Sequence, residues 1–190
     1  MDVMTLVDNT NFEHSRTVSQ ISRLMATRAG FSEKDCQVIA QAALCHDVGK
    51  SAIPAAILNK PSSLTPAEYE IVKTHTEAGY AQITETIQTL SIAAIVARQH
   101  HEHIDGHGYM RLSGDDIHPY AKLVAVADVF DALYSRRAYK EPWSLGTTRD
   151  YFNQRAGRQF DETAVSLLFS ILSDVLIMYE NQHTERRRSP

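Results

Sequence analysis

Sulfur cross-links cannot hold this chain together. Its 190 residues include two cysteines, Cys36 and Cys45, too few for a disulfide framework and in keeping with a reducing compartment. Glycine (eight) and proline (six) are sparse, and no Pro- or Gly-rich stretch marks a linker between domains. No uninterrupted apolar run approaches the roughly 18–20 residues that a membrane-spanning helix needs. The N-terminus carries Asp2, Asp8 and Glu13 and lacks a basic-then-apolar targeting pattern. Positive charge is not in excess: 19 Lys and Arg stand against 23 Asp and Glu, a net charge of −4. A broad basic footprint for duplex nucleic acid is therefore excluded, whereas a local basic pocket for a small anion is not. These features lead us to expect one cytoplasmic domain with no membrane association. A hydrophobic content of 43% is enough to build a core.

Strand-like alternation is also missing, and the pattern that remains is helical. Val18, Ile21, Leu24 and Met25 recur at helical spacing before Gly30. Ser32 with Asp35 three residues on reads as an N-cap for a helix to about Asp47, which Gly49 ends. Thr65-Pro66 opens another helix that carries Tyr69, Ile71, Val72 and His75. Residues 91–101 and 120–135 read as buried helices on either side of a long loop at 103–118. Helices near 144–156 and 161–180 follow, with a frayed tail at 181–190. The expected fold class is all-α, with one domain over residues 8–180.

The chain does have histidine in quantity. Nine are present, four of them (His100, His101, His103, His107) within "HHEHIDGH". His46 and Asp47 sit side by side at the end of "AQAALCHDVGK", His75 lies on a helix, and Asp128 interrupts "KLVAVADVFDAL", the most apolar segment. A buried aspartate is costly unless it is paired or metal-bound. Taken singly, each residue has an ordinary structural reading: a helix-terminating pair, a surface histidine, a hydrogen-bonded carboxylate. His103, His107, His118 and His183 read as loop or surface groups. The combination points to a divalent metal of the iron, manganese, zinc or nickel kind, which accepts imidazole with carboxylate, rather than to calcium or magnesium. Six candidate ligands exceed what one open catalytic ion requires, and a carboxylate can bridge two ions, so a binuclear centre able to activate water against a phosphoester follows.

The segments "CHDVGKSAIPAAILNKPSSLTPAEYEIVKTH", "ARQHHEHIDGHGYM" and "AVADVFDALYSRRAYK" together resemble the HD-GYP domains, a branch of the HD metal-dependent phosphohydrolases. The resemblance runs over roughly residues 8–165 and implies an all-α helical bundle of the HD type. It implies that His46 and Asp47 are the HD pair, with Asp47 bridging two ions. His75, His100 and His101 would hold the second ion, while Asp128 and His14, the latter in "HSRTV", would complete the shell of the first. The spacing of the residues alone gives no role to His14. Lys50 matches the lysine of HD.GK, expected to hold a phosphate oxygen, and Arg137 and Lys140 match an R.YK pair that contacts the bound dinucleotide. Glu102, Asp105, Gly106, Gly108 and Tyr109 build the signature loop, a surface where a protein partner would dock.

The resemblance further implies a phosphodiesterase of cyclic dinucleotides, foremost cyclic di-GMP, cut to pGpG and on to GMP, with two iron or manganese ions as cofactors. A cyclic-dinucleotide receptor without useful turnover and a phosphohydrolase of other nucleotides are the competing expectations. Two departures stand out. The position where some members carry a glutamate ligand for a third ion is Thr10, so two ions are expected. The proline of GYP is Met110, so the loop loses a fixed φ.

Overall fold

A computed structural model describes residues 12–87, 91–135 and 141–188, with the side chains of 87 and 183–188 left undescribed. Among the described residues ten α-helices follow one another: α1 (Phe12–Arg28), α2 (Glu33–Leu44), α3 (Ala55–Leu58), α4 (Pro66–Lys73), α5 (His75–Ile87), α6 (Ile92–Gln99), α7 (Pro119–Tyr134), α8 (Leu145–Arg155), α9 (Glu162–Ser170) and α10 (Leu172–Arg188). Short 3-10 turns cover Val48–Ala52 and Gly114–Asp116. The fold is all-α. Among the described residues the only β pairing is an isolated bridge between Ala156 and Phe160.

Helix starts follow local chemistry. The Ser32 hydroxyl accepts the Asp35 N–H, Ser91 accepts that of Ala94, and Thr65 with Glu68 forms a reciprocal capping box ahead of Pro66. Helix α7 is the central staff. Ala121, Leu123, Val124, Val126, Ala127 and Phe130 are buried around most of its circumference, as expected of a helix apolar on all sides. Helix α1 lies against α2 and α7, α2 against α6, and α5 against α6 and the Val48–Ala52 turn.

Three boundaries differ from the sequence expectation. The helix from Pro66 breaks at Thr74, because the Thr74 hydroxyl, the His75 imidazole and the Thr76 hydroxyl take the carbonyls of Ile71, Val72 and Lys73. The segment expected as one helix over 161–180 bends by 61° at Ile171, where the Ser170 hydroxyl takes the Leu167 carbonyl. Helix α10 then continues to Arg188, correcting the expected fraying from 181. No glycine or proline interrupts it, and the Gln182 amide donates to Thr17 and Gln20 of α1. Among the described residues no single helix is long and apolar enough to cross a membrane.

The Val48–Ala52 turn presses on α5 with no room for a side chain at Gly49. A Cβ there would lie 2.0 Å from the His75 carbonyl oxygen and 2.3 Å from the Gly79 nitrogen. At Gly79 the nearest contact of an added Cβ would be 3.3 Å. Gly49→Ala should therefore cost about 1–3 kcal/mol, as overpacking against backbone does. Gly79→Ala, which gains up to about 1 kcal/mol of helix propensity, should come out near neutral. Urea unfolding of the two variants checks the order; equal losses would contradict it.

Candidate metal centre

Three helices end at the same place, and a histidine follows each end. His46 comes just after α2, His75 just after α4, and His100 just after α6. The last carbonyls of a helix lack the i+4 N–H that interior ones have, and these imidazoles give them a further donor. His46 Nδ1 donates to the Ala43 carbonyl at 2.7 Å and His75 Nδ1 to that of Val72 at 2.7 Å. His100 Nδ1 donates to Ala97 at 3.0 Å and Val96 at 3.2 Å. A carbonyl oxygen only accepts, so each Nδ1 carries the proton, and in the neutral ring each Nε2 presents a bare lone pair. The negative ends of the three helix dipoles face the same region, which favours a cation there.

Asp47 stands between the rings. Its Oδ1 lies 3.4 Å from His75 Nε2 and 3.7 Å from His100 Nε2, and its Oδ2 lies 3.3 Å from His46 Nε2. His75 Nε2 and His100 Nε2 face each other at 3.5 Å. His101 packs its ring 4.1 Å from that of His100. On the other side, His14 Nε2 and His46 Nε2 lie 3.0 and 3.8 Å from Asp128 Oδ1. Two sets of ligand atoms result, each within 4.8 Å of one another and each able to hold a metal ion: Asp47, His75, His100 and His101, and His14, His46 and Asp128. All seven candidate ligands thus gather in one region, with Asp47 at the junction of the two sets.

The donors fit a cation better than they fit each other. His46 Nε2 and Asp47 Oδ1 are buried and make no hydrogen bond, an expensive arrangement unless an ion satisfies them. Burial holds His100 below the usual histidine range and His101 well below it, so both offer neutral nitrogens. Asp47 and Asp128 stay ionised: burial works against this, but His46 and Lys50 at Asp47, and His14 and His46 at Asp128, hold both carboxyls below their ordinary values. At His14 burial again opposes the charge, yet hydrogen bonds to Asp128 and Asp131 outweigh it and raise the pKa to about 9. A cation on His14 Nε2 therefore requires loss of a proton there.

Lys50 reaches this centre from the Val48–Ala52 turn, and its ammonium donates to Asp47 Oδ2. Arg137 and Lys140 lie outside the described residues, as do Asp8 and Thr10. Tyr134 packs in the core against Phe130 and Tyr179. His118 caps α7 by accepting the Tyr120 N–H. His103 and His107 flank Asp105 on the loop.

Two buried carboxylates gained no individual role from sequence. Asp131, one turn after Asp128, accepts from His14 Nδ1 at 2.5 Å; the only signal for it was a second aspartate in the apolar helix. Glu102 is the anchor of the signature loop. Its two oxygens accept the backbone N–H of Met110 at 2.7 Å and of Leu112 at 2.8 Å, around Arg111 at a φ of 63°. Proline at 110 would have no N–H to give, so this loop exchanges a fixed φ for a hydrogen bond. Gly108 allows the approach, since a Cβ there would lie 2.5 Å from Glu102 Cα. Tyr109 is thereby set with its ring 4.7 Å from that of His101.

The HD domain family model matches residues 1–164, and the chain belongs to that family. Its HD.GK, HHE..DG.GY and D..DAL motifs place it in the HD-GYP branch. It is 40% identical over 153 residues to the cyclic di-GMP phosphodiesterase response regulator RpfG of Xanthomonas campestris pv. campestris, covering 80% of this chain and 40% of that protein. It is 39% identical over 157 residues to 3'3'-cGAMP-specific phosphodiesterase 2 of Vibrio cholerae serotype O1, covering 82% of this chain and 30% of that one. Among solved structures, Bd1817, an HDG"Y"P protein from Bdellovibrio bacteriovorus, matches with a TM-score of 0.70 at 25% identity, over 88% of this chain and 55% of that one. The chain thus spans less than half the length of the two curated relatives.

Removing the loop anchor separates the roles of its parts. Glu102→Ala should lower stability by about 1.5–3 kcal/mol, the scale of a hydrogen bond to a charged group. Amide exchange should accelerate at Met110 and Leu112 first. Unchanged exchange at both amides would show that the loop is held by something else.

Proposed function

We propose that this chain is a two-metal phosphodiesterase that hydrolyses cyclic di-GMP to pGpG, and onward to GMP. The observation that carries this is the convergence of seven N and O ligands in two sets around Asp47, with three imidazoles locked into the tautomer that bares Nε2. In this reading Asp47 would be shared between two ions, His75, His100 and His101 would hold one of them, and His14, His46 and Asp128 the other. Iron or manganese suits this mixed set, with zinc and nickel as alternatives. Bound ions supply Lewis acidity and water activated at neutral pH.

The chain's own residues do the rest. The imidazoles, anchored through Nδ1, keep their geometry when ligands exchange, and the buried carboxylates keep the site negative for metal binding. Lys50 holds a non-bridging phosphate oxygen, turning from Asp47 toward the substrate. Arg137 and Lys140, nine and twelve residues after Asp128, take the second phosphate or a guanine edge. Arginine provides a planar fork for such recognition and lysine a point charge. Two buried cysteines outside any disulfide, Cys36 and Cys45, and a nucleotide second messenger as substrate support a cytoplasmic setting. The likeness to a 3'3'-cGAMP-specific enzyme makes that dinucleotide the second substrate to assay.

The decisive experiment is anaerobic purification and metal analysis, followed by turnover of cyclic di-GMP and 3'3'-cGAMP side by side. Two equivalents of iron or manganese with cleavage of either are expected; full metal loading with binding but no cleavage would identify a receptor instead. Asp47→Ala should lose at least one equivalent of metal and abolish turnover, whereas retention of both would show that Asp47 is not the bridge. Lys50→Ala should keep both ions and lose about 1.5–3 kcal/mol in turnover, roughly ten- to hundredfold. Metal loss in that variant would mean that Lys50 serves Asp47 rather than the phosphate.

Arg137→Ala and Lys140→Ala should weaken cyclic di-GMP binding while leaving cleavage of bis(p-nitrophenyl) phosphate, which has no guanine, intact. Equal loss on both substrates, or none on either, would remove these residues from the site.

A further inference from the structure

We infer that Asp131 is the positioning residue for one of the two ions, acting through His14, and that it couples this ion to the C-terminal helix α10. The inference rests on the two-ion reading above. His46, His75 and His100 each fix Nδ1 on a carbonyl at the end of the preceding helix. His14 cannot do so, because it lies in the first turn of α1, where free N–H groups rather than free carbonyls are exposed. Its Nδ1 meets a carboxylate instead, Asp131 Oδ2 at 2.5 Å, while its Nε2 faces Asp128 Oδ1 at 3.0 Å. The ring is held from both nitrogens by two aspartates one turn apart on α7.

Asp131 is itself held firmly. It is 2% exposed, and its other oxygen accepts from the Ser135 hydroxyl at 2.5 Å and the Tyr179 hydroxyl at 2.6 Å. Both partners are donors, so this oxygen stays an acceptor and the carboxylate cannot rotate without breaking two hydrogen bonds. A carboxylate on the far nitrogen of a ligand histidine fixes the tautomer and strengthens the metal-facing nitrogen. Tyr179 belongs to α10, where no candidate ligand lies among the described residues, and Ser135 ends α7. The shell of this ion thus depends on two hydroxyls outside it, whereas among the described residues no hydroxyl is hydrogen-bonded to Asp47, His75, His100 or His101.

The test uses the full chain, stripped with chelator and titrated anaerobically with Mn²⁺ in a calorimeter. In Asp131→Asn one ion should bind as in the wild type and the other about ten- to hundredfold more weakly. His14→Ala should weaken the same ion, and adding Asp131→Asn to it should produce no further change, because the carboxylate would have no imidazole to act on. Wild-type affinity for both ions in Asp131→Asn, or independent multiplying losses in the double variant, would overturn the inference. A general packing role predicts that multiplication together with a lowered melting temperature of the metal-free protein. Should Asp131→Asn fail to fold, Ser135→Ala removes a single hydroxyl; several-fold weakening of one ion supports the inference and unchanged binding of both overturns it. A wild-type chain that binds no Mn²⁺ would instead remove the two-ion reading, which this titration separates from failure of the Asp131 role.

Discussion

The interaction on which this site depends is the hydrogen bond from a histidine Nδ1 to a carbonyl in the last turn of a helix. It answers two needs at once. A helix that stops inside a protein must find partners for its last carbonyls, and a metal-binding imidazole must be told which nitrogen to present. His46 and His75 meet both needs with one contact each, and His100 with a shared contact to two carbonyls. Helix breaks consequently place three of the seven candidate ligands, and helix ends that would otherwise be liabilities help to assemble the centre.

The centre also explains buried charge in a domain of modest size. Asp47, Asp128 and Asp131 are all less than a tenth exposed. Each is answered by histidines, a lysine or hydroxyls, so none is left as a bare charge in the interior. The signature loop uses the same device on backbone: Glu102, also buried, collects two N–H groups that a tight loop could not pair internally. Burial of carboxylates here is a way of ordering irregular chain around a site.

How much of this could be read from residues alone varies with the range of the interaction. Caps at Ser32 and Thr65 and the burial of the 120–135 segment were legible because they depend on nearest neighbours and periodicity. His46, Asp47, His75, His100, His101 and Asp128 stood out because ionisable groups in apolar helices need a reason. His14 did not, lying on an ordinary amphipathic helix, and only the likeness of "HSRTV" to a family segment raised it. The break at Thr74 was missed because "KTHTEAG" contains no helix breaker before Gly79, and three side chains acting on three carbonyls end the helix there. The continuation of α10 past 181 was missed for the opposite reason: its support, the Gln182 amide on Thr17 and Gln20, comes from the other end of the chain.

Candidate ligands spread from residue 14 to residue 128 would give bound ions a mechanical meaning. A chain whose first helix and central helix are tied to the same centre becomes, when loaded, a closed loop of more than a hundred residues drawn shut at one point. The unfolded chain has no such preformed site, so binding free energy would become folding free energy for the five helices that carry or flank the candidate ligands. Unfolding the loaded domain by parts would be costly, because releasing α1, α2, α5, α6 or α7 opens the same knot. The segment after Asp128 lies outside the loop, and the Tyr179 hydroxyl on Asp131 is one stitch that fastens it back.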